Sequence, residues 1–264
     1  MSQVLADSVK RDSSPIRRSF IERQNGMSSP TPLATLLRTQ ESLGGRGGGL
    51  RLSLMMSLIW LCSREPYTTT RVAAYWAELL GREDPRGEGA RAVRDCLHEL
   101  QDREFVQLFS KGPQVVIVLK NESLERSKEG HVLLYRPPYD LEPYISVPRS
   151  FWTTGLAGRL SGAGVAMYLV SLAMTRHDDP EFWLSGAFFD ERFGISRSTR
   201  KRGLAELAQN GVIEARSVAT VDLSTFRMVR RNIYRVSASY LQPSPKGNPT
   251  APAEAPVPSV KDNT

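Results

Sequence analysis

Arg197, Arg200, Lys201 and Arg202 crowd into one short part of the stretch GISRSTRKRGLAELAQNGVI, which occupies residues 194–213. Cations grouped in this way neutralise phosphates, and an arginine can also make paired hydrogen bonds to a base edge. The neighbouring residues indicate what would hold them. Ser196 is suited to cap a helix by accepting a bond from an early backbone N–H. Leu204 and Leu207 recur at helical spacing, and Asn210-Gly211 stops the helix before Val212-Ile213 resumes as a strand. The expected element is a short helix that packs on its leucine side and meets phosphates on the other.

On a helical wheel Arg200 falls beside Leu204 and Leu207. An unpaired buried guanidinium is very costly, so Arg200 is expected to reach past the core or to pair with Asp190 or Glu191 on the preceding helix. Gly203 lowers helix propensity by about 1 kcal/mol relative to alanine and would allow close helix packing. Contact with a polyanion is therefore assigned to Ser196, Arg197, Ser198, Thr199, Lys201 and Arg202.

Charge distribution supports this assignment. The 264 residues carry a net charge of +7, and between Ile195 and Val236 nine cations face three anions. Nearly the whole excess belongs to one segment, which reads as an electrostatic footprint rather than a general aid to solubility. The cations after the helix, Arg227, Arg230, Arg231 and Arg235, lie in the second of two expected strands, Ile213–Val221 and Phe226–Val236, joined by the turn Asp222–Thr225.

The rest of the chain supplies the elements that position this stretch. Residues 1–48 are rich in Ser, Pro, Gly and Arg and read as a mobile basic arm, whose Lys10, Arg11, Arg17, Arg18 and Arg23 are solvated or touch phosphates, with a helical turn or two that docks on the fold within Thr31 to Thr39. Its GGRGGG run lacks the Lys-Ser/Thr ending of a phosphate loop. Leu54, Met55, Leu58, Ile59 and Cys62 line one face of a first helix. Thr70 is placed to cap a second, RVAAYWAELLG. A third helix turns Val93, Cys96, Leu97 and Leu100 inward and Arg91, Arg94, Asp95 and His98 outward. Phe105–Phe109 and Val115–Leu119 form a hairpin. Residues 121–150, polar and then proline-rich, read as an interdomain connector with a strand at each end. A helix over Ser161–Thr175, a strand-like start and short helix in FWLSGAFFDERFG, the opening stretch and the long hairpin then repeat the order. Residues 241–264, rich in Pro and Ala, are expected to be disordered.

Other function classes find little support. The three histidines, His98, His131 and His177, have no partners at metal-ligand spacing, and there is neither a nucleophile elbow nor a dinucleotide fingerprint. No cofactor and no enzymatic activity are expected. Cys62 and Cys96 sit in apolar helical patterns and read as free buried thiols. With no apolar run near the roughly 20 residues of a membrane span and no secretory h-region, a cytoplasmic, nucleoid-associated location is expected.

The pattern from Gly194 to Thr199, followed by Leu204, Leu207, Gly211 and Ile213, is similar to the recognition helix of many bacterial winged-helix regulators. YISVPRSFW followed by LSGAGVAMYLVSLAM resembles the lead-in of replication initiators of plasmids and mobile elements, which often carry two winged helices in tandem. The likeness covers roughly residues 50–240. Arg200 and Gly203 depart from it, since an apolar residue and an alanine are usual there.

The resemblance implies an α+β fold of two tandem winged helix-turn-helix domains with disordered tails. The divisions are a 1–48 arm, a first domain over 49–120, a 121–150 connector, a second domain over 151–240 as the main DNA reader, and a 241–264 tail. It also implies sequence-specific duplex DNA binding in replication initiation or transcription regulation, with Arg91 and Arg94 as a second contact. A homodimer and proteins of replication or chromosome maintenance are its further candidate partners. The alternative is a protein-interaction adaptor of the chromosome-condensation type, which also uses tandem winged helices.

Overall fold

The computed structural model describes residues 2–24, 29–38, 48–112, 114–139, 141–176, 178–222 and 227–242. The fold is mixed α+β, with small antiparallel sheets. After a short helix α1 (Ser2–Asp7) the chain builds β1 (Ser13–Arg17), α2 (Arg18–Ile21), α3 (Pro32–Leu37), α4 (Gly48–Leu61), β2 (Thr68–Thr69), α5 (Ala73–Leu79), α6 (Glu88–Asp102), β3 (Val106–Lys111) and β4 (Gln114–Leu119). The same order then recurs as β5 (Tyr144–Pro148), α7 (Ser150–Thr153), α8 (Leu156–Arg159), α9 (Gly162–Met174), β6 (Glu181–Trp183), α10 (Gly186–Phe193), α11 (Arg197–Gln209), β7 (Ile213–Asp222) and β8 (Arg227–Val236). Sheet order matches as well, β2-β4-β3 in the first copy and β6-β8-β7 in the second.

The two halves meet first at a strand pair whose register is symmetric about a short sequence repeat. Strand β1 pairs antiparallel with β5, from Ser13 opposite Pro148 to Arg17 opposite Tyr144. Arg18-Ser19-Phe20 in one copy corresponds to Arg149-Ser150-Phe151 in the other. Under that correspondence Ser13 matches Tyr144 and Arg17 matches Pro148. The ladder therefore maps onto itself, with the Pro15–Ser146 pair at its centre.

The long helices α4 and α9 pack against each other. A Cβ on Gly49 would lie 3.1 Å from both the Gly162 nitrogen and the Leu160 oxygen, so glycine allows this approach. Helix α4 is buried on all sides from Arg51 to Trp60, rather than along one face. Its polar residues serve the junction. Ser53 donates to the Ala157 carbonyl at 2.6 Å, Ser57 accepts from the Trp152 indole at 2.9 Å, and the Trp60 and Trp152 rings stack at 4.2 Å. One continuous hydrophobic core results.

The amino-terminal stretch is not the free arm expected from its composition. Among its described residues Ile16, Phe20, Ile21, Leu33 and Leu36 are fully buried in that core. Arg17 is buried too. Its backbone N–H and its guanidinium both bond the carboxylate of Glu122, the latter at 2.8 Å, and its Nε reaches Glu142 at 2.9 Å. Burial works against the charge on Arg17, but the two carboxylates more than offset it and hold the guanidinium above its usual range. Residues 121–150 are tied to the fold at Glu122, Glu142 and β5, the last being a strand at the end of this segment.

One local expectation also changes. Helix α5 starts at Ala73 after Val72, and Thr70 is exposed and makes no cap. Cys62 and Cys96 are free and buried, as their patterns suggest. Residues 44–47 of the glycine-rich run, His177, the turn residues 223–225 and residues 243–264 lie outside the described residues. Among the described residues no helix is long and apolar enough to cross a membrane.

Candidate nucleic-acid interface

Helix α11 forms where its local punctuation places it. The Ser196 hydroxyl accepts from the Thr199 N–H at 3.2 Å, and it lies 3.0 Å from the Ser198 hydroxyl and 2.9 Å from that of Thr199. Asn210 closes the helix, followed by Gly211 at φ 67°. Gly203, Leu204 and Leu207 are buried against α9, while Arg197, Ser198, Lys201 and Arg202 are exposed. The helix thus presents three hydroxyls and its free N–H groups at one end, with cations on the outward side, an arrangement suited to phosphate oxygens.

Arg200 does turn toward the packing side, but its partner is not a carboxylate. Its guanidinium carbon sits 4.9 Å from the centre of the Phe189 ring on α10. A cation over a ring face is stabilised by the ring quadrupole, and this replaces the expected pairing with Asp190 or Glu191.

Arg202 and Thr199 line one wall of a 640 Å³ groove whose other wall includes Arg82, Asp95 and Glu99. Asp95 and Glu99 belong to α6, so α6 and α11, each the last helix before a hairpin, flank a common groove. On α6 the side chains of Arg91 and Arg94 are exposed, beside exposed Asp95 and His98. Just before that helix the carboxylate of Asp84 accepts from the N–H groups of Glu88 and Gly87, and these bonds lower its pKa.

The hairpin of β7 and β8 pairs ten residues on each strand, from Ile213 opposite Val236 to Asp222 opposite Arg227. Alternation along a strand divides the arginines between two faces. Arg230 shares a face with Tyr234 and Val236, which continue into the core. Arg231 and Arg235 point the other way and join Arg216 and Trp183, which are opposite Ile233 on its two sides. Arg231 stacks on Trp183 at 4.6 Å, and Arg216 pairs with Glu181 at 2.8 Å. Arg227 belongs to β8 through its backbone pairing.

Arg216 and Trp183 were not among the contact residues expected from the sequence. The signal for them is register, since β6 must lie beside β8 before Trp183 can be placed among arginines. The hairpin of β3 and β4 is shorter, pairing six residues on each strand. It exposes Lys111 together with Phe109 and Val115, so the two copies differ most in the charge of their hairpins. Among the described residues no three His, Cys, Asp or Glu side chains converge on a possible metal position. No family model, curated protein or solved structure matches the chain.

Proposed function

We propose that the chain binds duplex DNA through two tandem winged helix-turn-helix units, with α11 as the main reading helix and the β7–β8 hairpin as its wing. The observation that carries this reading is the second unit's outward surface. Exposed Arg197, Lys201 and Arg202 on α11 stand beside a long hairpin bearing Arg230, Arg231 and Arg235. A helix–strand–helix–helix–strand–strand order, with the first strand beside the last in the sheet, is how such a unit offers its third helix to a groove.

In this reading α11 enters the major groove. Arg202 and Lys201 meet base edges, and Ser196, Ser198 and Thr199 hold phosphates at the helix N-terminus. The hairpin arginines follow the backbone, which makes affinity fall steeply with salt. The biological role we propose is that of a replication initiator of the plasmid type, with transcription regulation as the neighbouring role.

Selection of bound sequences from a random duplex pool tests this. Enrichment of repeated sites supports initiation, and a lone palindrome supports a regulator. Arg202→Ala should relax preference at one base position by about tenfold, as expected when a single side chain no longer reaches its base. Absence of enrichment together with salt-independent binding would overturn the reading.

A protein-interaction role is favoured for the first unit by one observation. Its hairpin exposes Phe109 and Val115, each nearly half accessible, beside only one exposed cation, Lys111. A pull-down in high salt separates the two roles, because protein partners persist while DNA is stripped.

A further inference from the structure

The last turn of α10 leads directly into α11, and its carbonyls are met by residues far upstream. A helix ends with four carbonyls that have no partner within the helix. In α10 these belong to Asp190, Glu191, Arg192 and Phe193. The Arg192 carbonyl accepts from the backbone N–H of Arg23 at 2.8 Å. The guanidinium of Arg23 donates to the Glu191 carbonyl at 3.2 Å and to that of Asp190 at 3.4 Å, and Gly194 N–H also reaches Asp190 at 3.0 Å. The Phe193 carbonyl accepts from the Thr31 hydroxyl at 3.2 Å, while that hydroxyl caps α3 by accepting from Ala34 N–H at 3.1 Å.

An ionic chain reinforces the contact. Arg18 donates to the Ala173 carbonyl in the last turn of α9 at 2.7 Å and pairs with Glu22 at 2.8 Å. The second oxygen of Glu22 pairs with Arg192 at 2.9 Å. Cations at the ends of α9 and α10 also suit the negative poles of those helices. The Arg23 guanidinium lies over the turn itself, 3.0 Å from where a Cβ on Gly194 would stand. Gly194, at φ 63°, and buried Ile195 are all that separate α10 from Ser196, the cap of α11.

We propose that Glu22, Arg23 and Thr31 are positioning residues for the reading helix: they fix the turn between α10 and α11 and so set the angle at which α11 meets its ligand. The part that concerns sequence readout rests on the DNA-binding function proposed above, whereas the part that concerns the turn does not. Arg23 is here directed at carbonyls and not at phosphate. Its removal should therefore disturb discrimination between sequences more than general attraction to DNA.

The test uses the full chain carrying Arg23→Ala or Arg23→Lys. Amide hydrogen exchange is followed in peptides covering 190–200 and, for comparison, in α6. In R23A, exchange over 190–200 should rise about tenfold while α6 keeps the wild-type rate, and R23K, which can still donate to a carbonyl, should recover part of the protection. Unchanged exchange over 190–200, or an equal rise in both regions, would overturn the proposal.

On DNA, R23A should lose about tenfold in affinity for a selected duplex. Affinity for a scrambled duplex and the salt slope should be retained. Equal weakening on both duplexes would make Arg23 a phosphate contact and overturn its positioning role. If the wild-type chain binds no duplex, the DNA reading fails, and the exchange data still decide whether the turn is held from upstream.

Discussion

Gly203→Ala tests the packing that seats α11. A Cβ at this position would stand 2.5 Å from Cγ of Met167 and 2.8 Å from the carbonyl carbon of Ala163, and nearer still to the Ala163 oxygen. Met167 can rotate away, but the main chain of α9 yields only if the two helices move apart. In an unhindered helix the substitution would gain about 1 kcal/mol in propensity. Overpacking of a well-filled core costs about 1–3 kcal/mol, and a clash with main chain belongs at the upper end. The net expectation is a destabilisation of about 2 kcal/mol, or roughly 4–8 °C in Tm for a chain of this size. Denaturation in guanidinium chloride measures it. Gly186→Ala is the control, since a Cβ there meets no atom within 4 Å and the backbone needs no positive φ. That variant should be neutral or gain up to about 1 kcal/mol. A Gly203→Ala protein as stable as the wild type would refute the close crossing of α9 and α11, and with it the account of how the helix is held.

Three further outcomes follow from the same geometry. Changing Arg230 and Arg231 together to Ala should weaken binding to every duplex and reduce the slope of log K against log salt by about 1.8, or 0.9 for each phosphate that is no longer neutralised, as read by fluorescence titration. Glu99→Ala should cost about 3–5 kcal/mol in chemical denaturation, because it leaves the buried Arg51 guanidinium without the carboxylate that it meets at 2.5 Å; the Arg51→Met/Glu99→Leu double variant should recover much of that stability. Cys62, whose thiol is pushed up to about 12 by burial, and Cys96, pushed up for the same reason, should not react with a thiol reagent at pH 8 until the protein is unfolded.

How far the sequence reveals this molecule depends on how distant the partners are. Helix α11 was legible because a capping serine, a leucine seam and an Asn-Gly stop all act within one element, and its register put Arg200 on the correct side. The nature of Arg200's partner was not legible, since Phe189 and the carboxylates of Asp190 and Glu191 are neighbours in sequence and only the rotation of α10 chooses between them. The amino-terminal stretch was misread for a related reason. Few of its residues are apolar, which resembles a tail, yet Ile16, Phe20, Ile21, Leu33 and Leu36 are all fully buried. The one sequence trace of its role is the Arg-Ser-Phe of 18–20, repeated at 149–151. Three of its cations are committed within the fold: Arg17 to Glu122 and Glu142, Arg18 to Glu22 and the end of α9, Arg23 to the end of α10. This sharpens the charge argument. Arg17, Arg18 and Arg23 thus add to the net charge while being turned to partners within the fold, whereas Arg197, Lys201, Arg202, Arg230 and Arg235 stand exposed on α11 and β8. The case for the second unit therefore rests on where its own cations stand rather than on the net charge of the chain.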